Sequence, residues 1–266
     1  MLILLPPSEG KTPATAGDPV DPATLWLPAL ATARRRVLTR LVTLCKRTSA
    51  RSVAESLRAL GLTDGQRDEI ARNGGLANAP AGPAAEVYTG VLYEALDATG
   101  LLPAARAWLD ETAVVFSGLW GVVRMGDRIP AYRCAIGSVL PPPVGGLAAY
   151  WKKALKAPLD RAAGDRPVLD LRSGAYAAMW APPAATSASV RVLHERTVDG
   201  VAQRSVVSHF NKATKGRIVR ALAEAGGTPG SVDEMVMALR DLKLTVEEQP
   251  VAAGRPRQLD VVVAEL

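Results

Sequence analysis

The chain has 266 residues, 48% of them hydrophobic, which suffices for a core that needs no disulfide or metal staple. Two cysteines, Cys45 and Cys134, and an apolar start, Met1-Leu-Ile-Leu-Leu5, that lacks a basic leader and runs into Pro6-Pro7, exclude a disulfide framework and a membrane span and place the expected setting in the cytoplasm. A net charge of +6 suits an anionic partner without identifying one, since an Arg-rich and Ala-rich composition also arises from a GC-rich genome.

The apolar start reads as a buried strand, and the proline- and glycine-bearing stretch 14–28 as a surface loop. Leu30, Ala33, Val37, Leu41 and Leu44 recur at helical spacing and predict an amphipathic helix over 29–44, with Arg34, Arg35, Arg36 and Arg40 on its other faces. A second helix over 52–60 ends at Gly61, a left-handed cap, and Thr63 with Gln66 forms a capping box that opens a third. These make a helical hairpin sub-region at about 29–73.

Residues 73–83 read as a loop, 87–96 and 103–110 as helices, and 113–120 as a buried strand. The proline-punctuated 128–144 reads as irregular chain before a helix over 146–155. Pro167–Leu171, Val190–His194 and Gln203–Ser208 read as strands, the last two joined by a turn at Asp199-Gly200. A helix over 209–225, another opened by Ser231, and strands at 244–251 and 258–263 complete the chain. Strands and helices mix without regular βαβ repetition, so the fold class is α+β: a single domain over 1–266 with a mostly central mixed sheet surrounded by helices.

Gly10-Lys11-Thr12 matches the end of a phosphate-binding Walker loop, but the pattern's first glycine falls on Leu5 and Pro13 interrupts the helix that should follow. What remains is a strand end carrying Ser8, Glu9 and Lys11, where sheets commonly present functional groups and where an ordinary polar loop is equally at home. His194 and His209 lack metal-ligand spacing with the cysteines, so no metal and no cofactor is expected. Ser208-His209-Phe-Asn211-Lys212 lies at a strand-to-helix junction with Lys215, Arg217 and Arg220 in the turns that follow, cations that oppose the helix dipole and so suit an anion or a solvated basic face. Arg124, Arg128 and Arg133 with Trp120 and Tyr132 form a second cationic patch, with Trp120 read as core. The hairpin at Gly61 loosely resembles a helix-hairpin-helix but lacks its tight Gly-x-Gly turn. Cys45 beside Lys46 and Arg47 has a route to a reactive thiol, against the plainer reading of a half-buried helix cysteine.

Six collinear blocks resemble the YaaA family: Leu4-Leu-Pro-Pro-Ser-Glu-Gly-Lys11, Val87-Tyr-Thr-Gly90, Ser117-Gly-Leu-Trp-Gly-Val-Val-Arg124, Ile129-Pro-Ala-Tyr-Arg133, Leu169-Asp-Leu-Arg-Ser-Gly-Ala-Tyr176 and Val207-Ser-His-Phe-Asn-Lys-Ala-Thr-Lys-Gly-Arg217. Their Pro-Pro-Ser-Glu and Ser-His-Phe-Asn-Lys wording is similar to the actinobacterial branch. The resemblance implies a family-specific α+β topology with a basic cleft, non-specific binding of double-stranded DNA, and a peroxide-stress role that limits iron-driven damage. It marks Lys11, Arg124, Arg133, Lys212, Lys215 and Arg217 as cleft candidates, and its helix-hairpin-helix-like element maps near Gly61. Met125, where the family usually has proline, departs from the pattern. A competing expectation is an enzyme acting on a nucleotide or modified nucleobase, with Ser8, Glu9, Lys11, His209 and Asn211 as its working groups, because Glu9 suits catalysis better than it suits a DNA backbone.

Overall fold

Leu2–Leu5 forms β1, four residues wholly buried, as expected of a strand covered on both faces at the centre of a parallel sheet. It belongs to a computed structural model that describes residues 1–198, 201–206, 208–251 and 254–264. After a long loop the chain builds α1 (Ala31–Cys45), α2 (Ala50–Leu60) and α3 (Arg67–Gly75). Ser49 caps α2 by accepting the Ser52 N–H, Gly61 closes it at φ 65°, and the Thr63/Gln66 capping box leads into α3. β2 (Gly82–Pro83), α4 (Ala84–Val87), α5 (Val91–Leu96) and α6 (Pro103–Thr112) follow, then the hairpin of β3 (Ala113–Ser117) and β4 (Gly121–Arg124). Three short strands, β5 (Arg128–Ile129), β6 (Val139–Leu140) and β7 (Gly145–Gly146), precede α7 (Leu147–Ala163), β8 (Val168–Asp170) and α8 (Gly174–Ala177). The last third holds β9 (Ser187–Val198), β10 (Val201–Ser205), α9 (Ser208–Ala225), α10 (Val232–Asp241), β11 (Thr245–Glu248) and β12 (Arg257–Ala264).

The main sheet runs β11-β12-β9-β8-β1-β3-β4, with β10 paired to β9. Its inner pairings are parallel, with Ile3 opposite Ala113, Leu2 opposite Val168, Val168 opposite Ser187 and Leu259 opposite Val190. β4, β10 and β11 pair antiparallel. This is the expected central mixed sheet flanked by helices, and the expected turn at Asp199-Gly200 lies outside the described residues.

Four local expectations are corrected. Arg34 is fully buried rather than on an outer face of α1. Its guanidinium donates to the carbonyls of Pro22, Leu25, Trp26 and Leu27 and to those of Trp120 and Val122, so it ties the 22–27 loop to the sheet edge. The helix expected over 87–96 is broken at Tyr88-Thr89-Gly90, where Gly90 takes φ 92° and Tyr88 bridges to Lys11. α7 continues through Pro158 because Trp151, Leu155, Leu159 and Ala163 repeat every four residues into the core, and that burial outweighs the lost helical hydrogen bond. Residues 128–144, expected to be irregular, contain β5 and β6, paired with β2 and β7 in two small ladders.

Candidate ligand cleft

From β1 the chain crosses to β3 on one side and later returns as β8 on the other, so connections leave the carboxyl ends of β1 and β8 in opposite directions. Open sheets form ligand crevices at such switch points. A cavity of about 610 Å³ opens there. Small-molecule clefts span roughly 300–1,000 Å³. Its walls are Pro6 to Gly10 after β1, Thr89 to Tyr93, Leu171, Ser173 and Tyr176 after β8, Val206, and Asn211, Lys212 and Lys215 from α9.

The loop after β1 is fastened on several sides. Ser8 Oγ donates to Gly10 O at 2.6 Å and accepts the Thr89 N–H at 3.2 Å, and Tyr93 Oη donates to Pro6 O at 2.7 Å. Gly10 leaves room for Thr89, whose Oγ1 would stand 2.9 Å from any Cβ there. On the β8 side, Arg172 lies 4.2 Å over the Phe116 ring, binds both oxygens of Asp170 at 2.9 and 2.6 Å, and donates to Tyr176 O and Trp180 O. That arrangement fixes the turn that carries Ser173 and Tyr176. The third wall depends on Gly216, because a Cβ there would overlap Leu92 O and press within 3.0 Å of Ala95 Cβ. Arg220 secures the same crossing of α9 over α5 by donating to Leu96 O and Asp97 O and pairing with Asp97 Oδ2 at 2.9 Å.

Within this frame Lys215 Nζ donates to Leu171 O at 3.1 Å, and burial lowers its pKa while Asp170 opposes that shift. Lys212 is exposed one turn earlier at the same wall. Tyr176 Oη accepts the Ile136 N–H at 3.4 Å, and burial pushes its phenol up to about 12. Glu9 Oε2 accepts from Arg133 Nη2 at 2.7 Å, and the Arg133 backbone is clamped by Asn73, which accepts its N–H at 3.0 Å and donates to its carbonyl at 2.7 Å.

The structure thus brings Ser8, Glu9, Asn211, Lys212 and Lys215 to one cavity. Lys11 stands beside it: Nζ donates to Ser8 O at 2.6 Å and lies 4.2 Å from the centre of the Tyr132 ring. Burial, then repulsion from Arg133, lowers its pKa to about 7. Under it, Tyr132 Oη shares hydrogen bonds with Tyr88 Oη at 2.9 Å and Ser117 Oγ at 2.6 Å. Arg133 reaches the cavity through Glu9, and Arg217 is exposed on α9 away from the lining. Arg124 is not brought to the cleft. It sits opposite Val114 at the start of β3, the far end of the sheet, with its guanidinium 4.8 Å from the Trp26 ring. The His209 side chain lies outside the described residues.

Cys45 and Cys134 are buried, and burial pushes their thiols up to about 11 and about 12, so the exposed low-pKa thiolate of a reactive cysteine is not what the fold makes of Cys45. Among the described residues no group of three His, Cys, Asp or Glu side chains is placed to hold a metal ion, and no helix is long and apolar enough to cross a membrane. Sequence reasoning missed Thr89 and Tyr93 as parts of the site. The signal for them was the small-residue pair Thr89-Gly90 inside an otherwise helical run, which breaks the helix where the cavity opens.

The family model described as "Peroxide stress protein YaaA" matches residues 1–249. The UPF0246 protein of Streptomyces coelicolor is 52% identical over 270 aligned residues that cover the whole of both chains. A UPF0246 protein of Corynebacterium efficiens is 39% identical over 99% of this chain and 100% of its own, and one of Corynebacterium glutamicum is 36% identical over 94% and 96%. With a family match over nearly the full length and full-length relatives at this identity, the chain belongs to the YaaA family of peroxide stress proteins.

Proposed function

We propose that the cleft binds one phosphate-bearing nucleotide unit, free or within a nucleic-acid strand, and that this binding serves the peroxide-stress role its family supports. The observation that carries the reading is the composition of the cavity. One wall of α9 supplies two cations, Lys212 and Lys215, while Pro6, Pro7, Val91, Leu92 and Val206 line other parts with apolar surface. A nucleotide has the matching division into a charged phosphate and a flat, largely apolar base. The test is calorimetric titration with deoxyadenosine monophosphate. Losing a charge-assisted contact costs about 1.5–3 kcal/mol, so Lys212→Ala with Lys215→Ala should weaken binding by more than about tenfold. Equal affinity in the double variant would remove this reading.

Duplex DNA is a second partner, favoured by the exposure of Lys212 at the cavity and of Arg217 further along α9. Phosphate contacts alone would make such binding non-specific and salt-steep. Covering DNA in this way would limit iron-driven damage during peroxide stress. Arg124 is too remote to share that surface with Lys212, so its replacement should leave duplex retention unchanged while Lys212→Ala and Arg217→Ala reduce it. The enzymatic alternative draws on the same cavity, where Ser8, Glu9 and Asn211 stand with Lys215 and Lys11 lies behind them.

A further inference from the structure

We propose that Lys215 is a carbonyl-reactive amine that condenses with a phosphate-bearing aldehyde seated in the cleft, while Lys212 holds the phosphate. This rests on the reading of the cleft as a phosphate site and adds a covalent step to it.

Three features single out Lys215. It is half-buried and lines the cavity, whereas Lys11 turns its ammonium to the Tyr132 ring and Lys212 stands exposed to solvent. Its Nζ is oriented by one donated hydrogen bond to Leu171 O, a bond that a neutral amine still makes while keeping its lone pair free. The carboxylate that opposes the shift, Asp170, is held through both its oxygens by Nε and Nη2 of Arg172, which leaves it less able to keep the ammonium charged. Burial lowers the Lys215 pKa, so a larger share of it is neutral than of an exposed lysine, while the protonated share remains the second cation of the cleft.

The reaction balances without an oxidant, a reductant or a further reactant. The Nζ lone pair forms a bond to the aldehyde carbon as the C=O π bond breaks, and a proton moves from nitrogen to oxygen to give a carbinolamine. The C–O bond then breaks, water leaves with the remaining N–H proton, and a C=N double bond remains. Tyr176 and Ser173 line the same cavity and carry the hydroxyls that can pass these protons. The substrate class is an aldehyde on a phosphorylated sugar, supplied either as a free sugar phosphate or as the ring-opened sugar of a nucleotide that has lost its base.

Borohydride reduction makes the imine permanent and therefore mappable. The wild-type protein is incubated with 2-deoxyribose 5-phosphate, with 2-deoxyribose, or with a single-stranded oligonucleotide bearing one abasic residue, then reduced and mapped by peptide mass spectrometry. Lys215→Arg keeps a donor for the Leu171 carbonyl and removes the nucleophile, and an unchanged urea midpoint checks that the variant is folded. The expected result is an adduct on Lys215 that forms about tenfold faster with the phosphate than without it and is suppressed by deoxyadenosine monophosphate. That adduct is absent from Lys215→Arg. Whether the free sugar phosphate or the abasic strand labels faster identifies the source. If deoxyadenosine monophosphate binds but adducts scatter over exposed lysines, equally in Lys215→Arg, the covalent step is wrong and the cleft reading survives. If it neither binds nor protects, the cleft reading fails and the inference falls with it.

Discussion

Replacing Gly216 by alanine sets two known effects against each other. Gly216 lies inside α9, and alanine in a helix interior is better than glycine by about 0.8–1.0 kcal/mol, so propensity alone predicts a more stable protein. The structure predicts the reverse. A Cβ at this position overlaps the Leu92 carbonyl oxygen, a backbone atom that moves only if α5 or α9 moves, and Leu96 N and Ala95 Cβ close the other directions at 3.0 Å. Overpacking of this kind costs about 1–3 kcal/mol, and more where backbone must shift. The net expectation is a loss of about 0–2 kcal/mol, toward the upper end because a backbone atom must move, read as a lower urea midpoint at unchanged m-value. Because α9 carries Asn211, Lys212 and Lys215, its displacement should also weaken deoxyadenosine monophosphate binding in the folded protein. Gly75, in the last turn of α3, is the control: a Cβ there meets nothing within 4 Å, so Gly75→Ala should be neutral to stabilising. A Gly216→Ala protein more stable than wild type, with ligand affinity intact, would refute the close crossing as the feature that positions the cleft wall.

Other consequences follow from buried charge. Arg34→Met should destabilise by about 3–5 kcal/mol in chemical denaturation, since it strands carbonyls that the guanidinium now satisfies; a loss under about 1 kcal/mol would contradict that role. Lys11 has its pKa lowered from 10.5 to about 7, so below pH 7 it is charged in both folded and unfolded chains, and above that the unfolded chain alone keeps the proton. Stability therefore rises with pH, by about 1 kcal/mol between pH 7 and pH 8, before the unfolded chain's thiols titrate near pH 8.5 and oppose it. The rise should shrink in Lys11→Met, and an identical slope in the two proteins would argue against a desolvated ammonium. With their thiols raised to about 11 and about 12, Cys45 and Cys134 should resist alkylation at pH 8 until the protein is unfolded; fast labelling of the native state would show the burial to be wrong. The Arg133–Glu9 pair leaves Glu9 78% exposed, so Glu9→Gln should change the unfolding midpoint by less than about 1 kcal/mol of stability.

Much of the fold was legible because its signals are local. The all-apolar run of β1, the left-handed Gly61, the Thr63/Gln66 capping box and the Ser231 cap of α10, which accepts the Glu234 N–H at 3.1 Å, each act within a few residues. Lys212 and Lys215 were legible as a pair because residues three apart share a helix face. Arg34 was not, since a helical wheel puts arginine outside and the carbonyls that draw it inward include those of Trp120 and Val122, far along the chain. Arg124 looked like a neighbour of Arg133, yet the antiparallel return of β4 carries it to the far end of the sheet. The cavity itself follows from strand order, and strand order depends on pairings that no local pattern in β1 or β8 announces.

The central claim is that one nucleotide unit occupies the crevice between the ends of β1 and β8. A crystal structure of the protein soaked with deoxyadenosine monophosphate tests it most directly. The account predicts the phosphate against Lys212 and Lys215 and the base against Pro6, Pro7 and Val206. A nucleotide bound elsewhere on the surface with this cavity empty, under conditions where calorimetry shows the site saturated, would contradict it.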